Sequence, residues 1–258
     1  MEYGICDLSV VPLKAEPSDK SEMVSQLLFG ETFTITLKKS SWLKIKVDYD
    51  GYEAWLDEKQ YMPITADYYK KLTNTLAPLS LDIMQSAVSP DRHIPILIGS
   101  SLPEYDGINF KLKREKLVYS GQAINTAELD KPLRFLQKVS NKYLNAPYLW
   151  GGRSPFGIDC SGFTQQVFKL LGVKLPRDAY QQAEYGSLVD FVDLSKEGDL
   201  AFFENKEGKI THVGIVLEGK RIIHASGRVR IDKLDHYGIH NKQLKKYTHK
   251  LKSIKRLM

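Results

Sequence analysis

The 258-residue chain has only two cysteines, Cys6 and Cys160, and no apolar stretch as long as a membrane span. Cysteines 154 positions apart (160 − 6) do not make a disulfide framework. A bilayer-crossing helix needs about 20 apolar residues, and the richest short run, Ile94–Gly99, contains Pro95; no membrane partner is expected. The N-terminal residues Met1-Glu-Tyr-Gly-Ile-Cys-Asp7 lack the basic start and apolar segment of a secretory signal, so the chain as written does not read as a precursor. No acidic residue follows Asp235, whereas Lys242, Lys245, Lys246, Lys250, Lys252, Lys255 and Arg256 do; these seven exceed the net charge of +6. A basic end of this kind can bind polyanions. However, Leu251, Ile254 and Leu257 give it apolar contacts of its own, and no paired Cys/His or aromatic RNA motif accompanies it. A solvated sheet edge is expected there, with no nucleic-acid partner. With 42% hydrophobic and 26% charged residues, the rest has the composition of a folded globular protein.

Residues 1–64 carry the strand period. Phe33-Thr-Ile-Thr-Leu37 and Trp42-Leu-Lys-Ile-Lys-Val47 alternate apolar with polar residues. The Asp48–Gly51 turn cluster then leads to Tyr52-Glu-Ala-Trp-Leu56, and Pro63 closes a small β-barrel. Residues 65–125 read as a second small β-unit, with strands at His93–Ser100, Asn109–Lys113 and Lys116–Gln122. From 126 to 258 the pattern changes to α+β. Asp130-Lys-Pro132 has the form of a helix start, and the spacing of Leu133, Leu136, Val139 and Tyr143 predicts a helix to about Leu144. A Gly- and Pro-rich loop spans 145–159. A second helix follows from about Cys160 to Leu171, with Gly172 at its C-terminal cap. A short helical stretch lies around Asp178–Tyr185, and strands follow at Asp199–Phe203, His212–Leu217, Arg221–Ala225 and Thr248–Ile254.

Cys160 stands where the Gly-rich loop becomes a helix. First-turn amides lack intrahelical partners and the helix dipole is positive there, so a thiolate is favoured and an oxyanion can be held. A packed, inert cysteine is the plain alternative, and it is the reading for Cys6. Two of the six histidines, His212 and His224, fall inside apolar strands around Glu218-Gly-Lys220. A three-residue loop there pairs position 212 with 226 and leaves His224 one diagonal step from His212, on the same face. One imidazole then serves as base to a thiol and the other orients it. A zinc site from Cys160, His212, His224 and water is the rival chemistry. No close ligand pair such as Cys-x-x-Cys supports it, so no metal and no cofactor are expected.

The blocks Trp150-Gly-Gly152, Gly157-Ile-Asp-Cys-Ser-Gly-Phe163, Gly198-Asp-Leu-Ala-Phe-Phe203, His212-Val-Gly-Ile-Val216 and Ile223-His-Ala-Ser226 resemble the NlpC family of bacterial cell-wall cysteine peptidases. The resemblance covers roughly residues 130–240. It implies a papain-like α+β domain at 126–258 with Cys160 as nucleophile, His212 as base and His224 as third polar residue. The N-terminal segments resemble bacterial SH3-like barrels, at 1–64 and 65–125. Two such barrels before an NlpC domain resemble the subgroup that cleaves γ-D-glutamyl-L-diamino acid bonds in murein peptides with a free N-terminal L-Ala.

In that subgroup Tyr148 and Asp159 would hold the peptide and its amine, with Trp150 and Ser161 beside them, and Arg177 would meet a substrate carboxylate or pair with Asp178. Glu22 and Tyr52 are the barrel candidates for the amine. The chain departs from some relatives at Ala179, where they carry Ser, which removes one hydrogen bond. The implied role is recycling of wall peptides in the cytoplasm, or a periplasmic role if a signal has been removed. Two other readings share these residues: a peptidoglycan-binding module with a vestigial peptidase domain, and an amidase or acyltransferase of the same fold.

Overall fold

Alternating strands dominate the first half of the chain, and the computed structural model describes residues 1–129 and 132–258. These fall into two units. The first comprises 1–129 with 150–155 and 172–174, and the second 132–149 with 156–171 and 175–258.

In the first unit, β1 (Glu2–Ile5), β2 (Val10–Lys14), β3 (Met23–Leu28), β4 (Thr32–Lys39), β5 (Trp42–Val47), β6 (Glu53–Asp57) and β7 (Met62–Ile64) make one antiparallel sheet in the order β3-β2-β6-β5-β4-β1-β7. The period of two is visible in β5, where Leu43, Ile45 and Val47 turn inward to Phe33, Leu13, Leu27 and the fully buried Cys6. Burial raises the Cys6 thiol far above its usual range, so this cysteine is inert packing. After α1 (Ala66–Thr73), capped by the Thr65 hydroxyl accepting from the Tyr68 N–H, come β8 (Leu79–Ser80), β9 (Met84–Val88), β10 (His93–Leu97), β11 (Asn109–Leu112), β12 (Glu115–Tyr119) and β13 (Ala123–Ile124). Four of them form the sheet β10-β9-β12-β11. Their core of Ile94, Ile96, Phe110, Leu117 and Tyr119 also takes in Ile5, Phe29 and Ile64, so the two β-segments share apolar interior. The segment 150–155, with β14 (Arg153–Ser154), belongs to this unit as well.

In the second unit a 3₁₀ turn, Pro132–Phe135, runs into α2 (Leu136–Asn141). The helix stops before the expected Leu144, and Asn145 sits in the left-handed region at φ 66°. The Asp130 cap expected from sequence lies outside the described residues. Then come β15 (Gly157–Ile158), α3 (Cys160–Leu170), α4 (Ala179–Gln182), β16 (Ser187–Val189), β17 (Leu200–Glu204), β18 (Ile210–Leu217), β19 (Arg221–Ser226), β20 (Arg228–Asp235), β21 (Gly238–Asn241) and β22 (Lys246–Arg256). The sheet order is β16-β22-β17-β18-β19-β20-β21, and β22 pairs with β21 as well, so β17 to β22 close a barrel. Helix α3 packs against β18 and β19.

The basic C-terminal segment is therefore a strand paired with β16, β17 and β21, and not the sheet edge expected from sequence, because its apolar positions are taken into the barrel. Ile254 is buried, Lys250 and Lys252 pair with Glu204 at 2.7 and 2.8 Å, and Arg256 pairs with Asp199 at 2.8 Å. Three of its basic side chains are thus matched locally.

Candidate active site

Cys160 opens α3 because Asp159 caps it. Asp159 has extended backbone (φ −92°, ψ 178°) and its Oδ1 accepts the Gly162 N–H at 2.7 Å. Gly172, at φ +79°, ends the helix. All eleven residues of α3 are buried, so the thiol is held in protein interior, 6% exposed. The backbone N–H groups of Val213 and Ser161 point at its sulfur. The first of these belongs to β18 and directly follows His212, so helix tip and strand meet at the sulfur.

The sequence argument expects the helix terminus to favour a thiolate. The structure gives the opposite resting state: burial, then the Asp159 carboxylate, push the Cys160 thiol up to about 12, against the lowering effect of the Val213 N–H, Arg177 and the Ser161 N–H. The physical reason is first the depth at which the sulfur lies, and second that the cap itself is an anion. Asp159 is in turn clamped by Arg177, whose Nη1 and Nη2 donate to Oδ1 and Oδ2 at 3.0 and 2.5 Å. Arg177 also donates to the Ser161 hydroxyl at 2.9 Å. Its ion-pair partner is Asp159, while Asp178 forms the capping box of α4 with Gln181. Tyr148 is half-buried beside this group. Burial, Cys160 and Asp159 push its phenol up to about 12, so it stays a hydrogen-bond donor at neutral pH.

The β18–β19 register pairs Ile215 with Ile223, Val216 with Ile222 and Leu217 with Arg221, leaving the three-residue loop 218–220. Continued along the ladder, it sets His224 opposite Gly214, with His212 two residues further on the same face. Glycine is required at 214 for space: a Cβ there would lie 2.8 Å from the His224 Cβ and 2.7 Å from the Ile222 Cδ1. The empty position lets the His224 ring cross β18 and reach its partner. His212 Nε2 and His224 Nδ1 are 2.9 Å apart.

Three further residues complete the environment, and sequence reasoning missed all three. His224 Nε2 lies 3.2 Å from Asp232 Oδ2, and Asp232 is only 4% exposed at its side chain. Arg230 Nε and Nη2 donate to Asp232 Oδ2 and Oδ1 at 2.6 and 3.0 Å. The signal for β20 was present in Arg228-Val-Arg-Ile-Asp-Lys-Leu234, which alternates, but charges at every second position disguised a strand with a buried carboxylate. His249, on β22, stacks on His212 with ring centroids 4.1 Å apart and planes at 24°.

All three rings stay neutral. Burial first, then His224 and His249, hold His212 well below 6.5. Burial lowers His224 despite the opposing pull of Asp232. His249 falls to about 4, chiefly through burial. The nitrogens of the three histidines lie within 4.8 Å of one another. Imidazole lone pairs lie in the ring plane, however, and stacked rings present them side by side rather than toward a common point. His212 and His249 as placed do not form a metal cage.

The second unit contains Cys160, His212, His224, Tyr148, Asp159, Ser161 and Arg177. Glu22, Tyr52 and Trp150 belong to the first unit. There, the exposed Trp150 indole N–H donates to the Glu22 carboxylate, and Tyr52 packs on the barrel core.

Comparison with known proteins identifies the family. Residues 145–248 match the NlpC/P60 family, and residues 13–60 match the bacterial dipeptidyl-peptidase SH3 domain. The chain is 30% identical over 213 residues to a γ-D-glutamyl-L-lysine dipeptidyl-peptidase of Bacillus subtilis (strain 168), covering 78% of this chain and 71% of that protein. It is 28% identical over 239 residues to a like-named protein of Bacillus cereus, covering 81% and 68%. A crystal structure of an NlpC/P60 family protein from Bacillus cereus superposes with a TM-score of 0.82 at 22% identity, covering 98% of this chain and 99% of that one, which is a likeness of fold. An SH3-like domain joined to an NlpC/P60 domain, a buried thiol at a helix tip and a histidine pair on the adjoining strands lead to one conclusion: the chain belongs to the NlpC/P60 family and is a cysteine peptidase.

Proposed function

We propose that the protein hydrolyses the γ-D-glutamyl-L-diamino acid bond of murein peptides carrying a free N-terminal L-Ala, with Cys160 as nucleophile, His212 as general base and then acid, and His224 as the third polar residue. The observation that carries this reading is the meeting of the Cys160 sulfur with the Val213 N–H, next to His212, while His212 Nε2 is engaged by His224. That engagement leaves His212 Nδ1 for the thiol. Since thiol and imidazole are both neutral at rest, the proton moves when substrate arrives. It passes from Cys160 Sγ to His212 Nδ1, and the sulfur attacks the γ-carbonyl carbon of D-Glu. The resulting oxyanion finds donors in the Cys160 amide and the Tyr148 hydroxyl. As the tetrahedral species collapses, His212 returns the proton to the departing α-amine. Water then attacks the thioester, giving its proton to Nδ1, and the acid is released as the thiol re-forms.

Within the second unit, Arg177 is tied to Asp159 and Ser161, so its part is to hold the wall on which the peptide rests. In the first unit, Glu22 with the Trp150 indole, and Tyr52, are a carboxylate and aromatic faces of the kind that retain an ammonium. Residues 1–64 and 65–125 are read as two SH3-like barrels, and 126–258 as the papain-like domain. A free-amine requirement suits short peptides released from the wall, and hence recycling in the cytoplasm.

The names of the relatives from Bacillus support the bond class. The test compares L-Ala-γ-D-Glu-L-Lys with its N-acetylated form, and each with the meso-diaminopimelate analogue. Free-amine peptide is expected to be cleaved at least about 100-fold faster in kcat/KM, the scale of one lost charged contact of about 3 kcal/mol. Equal rates for free and blocked peptides would remove the amine from the recognition.

A further inference from the structure

Asp232 is not among the groups that act on the thiol, yet it ends a chain of buried contacts that starts at the base. We infer that the Asp232–Arg230 pair fixes which nitrogen of His212 carries the hydrogen, and thereby makes His212 a base toward Cys160. This rests on the assignment of Cys160 and His212 proposed above.

An ionised carboxylate only accepts. Both Asp232 oxygens face Arg230 donors, at 2.6 Å from Nε and 3.0 Å from Nη2, which hold it ionised and oriented. His224 Nε2, 3.2 Å from Oδ2, must therefore be the protonated nitrogen. His224 is neutral, so its Nδ1 is bare and can only accept. The contact at 2.9 Å then requires hydrogen on His212 Nε2. His212 is neutral too, so its Nδ1 is bare and ready to take the thiol proton. Each step has a single solution, and the first is set by Asp232. The inverse pattern, with hydrogen on His212 Nδ1, would present a donor to the thiol and leave no base. When His212 takes the proton during turnover, Nε2–H remains hydrogen-bonded to His224, whose own polarity is held by the carboxylate.

Arrangement on the sheet supports this role over a merely structural one. Position 224 pairs with Arg230, and Asp232 lies one diagonal step away on the same face, so carboxylate and guanidinium both sit over the His224 strand. Asp232 is buried, and its two side-chain partners are Arg230 and the ring it orients. It is a positioning residue, of the kind whose loss from behind a functional histidine costs about 10–100-fold.

The experiment uses Asp232→Asn in the full chain, with two readouts. Nitrogen-15 spectra of the histidines in a Cys160→Ala background report which ring nitrogen bears hydrogen. Peptide hydrolysis by the variant with Cys160 intact reports kcat and KM. Without Asp232→Asn, His212 and His224 are both expected as Nε2–H species. With it, His212 is expected to show a mixed or inverted pattern, and kcat to fall 10–100-fold while KM changes less than about threefold. An unchanged His212 pattern, or a kcat within twofold, overturns the inference. Arg230→Gln provides a second variant should Asp232→Asn fold poorly, with the same two outcomes. Hydrolysis that persists in Cys160→Ala would instead refute the catalytic assignment itself, which separates the two failures.

Discussion

Cys160→Ala is expected to abolish hydrolysis of L-Ala-γ-D-Glu-L-Lys, by roughly 10⁴–10⁶-fold in kcat, the range found when the nucleophile of a catalytic triad is deleted. The Val213 and Ser161 amides both favour a thiolate at this sulfur, and no other cysteine can take its place, because Cys6 is fully buried in the core of the first unit. The substitution removes one buried atom at the start of α3 and leaves the Asp159 cap in place, so the melting temperature should move by a few degrees at most. Peptide binding should survive. A mutant that neither binds nor folds would be uninformative about chemistry, and for that reason calorimetric binding of the intact peptide accompanies the rate. Residual turnover above about 1% would show that another group performs the attack.

The second large effect is on stability. Arg153 and Glu31 form an ion pair 1% and 3% exposed at their side chains, with Nη1–Oε2 2.8 Å and Nη2–Oε1 2.9 Å. The geometry is a two-pronged fork, and the guanidinium also donates to the Gln26 carbonyl while the Arg153 N–H reaches the Gln26 side chain at 2.7 Å. Glu31 Oε2 accepts the Leu28 N–H at 2.9 Å as well. Every prong is used, within a single unit, to hold the 150–155 segment. Burying two charges costs several kcal/mol each, repaid only while both are present. Glu31→Gln should therefore destabilise the first unit by about 3–5 kcal/mol, because it removes the forked carboxylate partner of a buried guanidinium. The double replacement Glu31→Gln with Arg153→Met should cost less than the sum of the single ones. Urea unfolding followed at the first unit's tryptophans, Trp42, Trp55 and Trp150, measures this; a loss below about 1 kcal/mol for Glu31→Gln would mean the charge reaches water.

How much of this was legible in the sequence depended on the period of the pattern. Strands β4, β5 and β6 of the first unit announce themselves because one face is apolar and the other polar, as in Leu43, Ile45 and Val47 against Lys44 and Lys46. Strand β9 was missed because only Ala87 of Met84–Val88 is buried, so no alternation exists to be read. Strands β20 and β21 were missed for another reason. Their charged residues are engaged within the fold, and a buried Asp232 looks in sequence like a surface one. The Cys160 helix was legible through the Gly-rich loop before it and Gly172 at its end. The histidine geometry was legible through hairpin parity, since a three-residue loop leaves one solution for which face His224 takes. The resting charge state was not, because it depends on how deeply Cys160 lies and on the nearby Asp159 carboxylate, and neither burial nor distance is written in a linear pattern. His249 was also hidden: it reaches His212 only because β22 bends across to pair with both β17 and β21.

The central claim is that the Cys160 sulfur and the His212 ring share a proton and that the sulfur then holds the acyl group. Acid-quenched single-turnover reactions, digested and weighed by mass spectrometry, test it most directly. The account predicts a transient gain of the L-Ala-γ-D-Glu acyl mass on the peptide containing Cys160, appearing with the released diamino acid and vanishing as the free dipeptide forms. An acyl group on any other residue, or complete turnover with the diamino acid released and no adduct at any time, would contradict it.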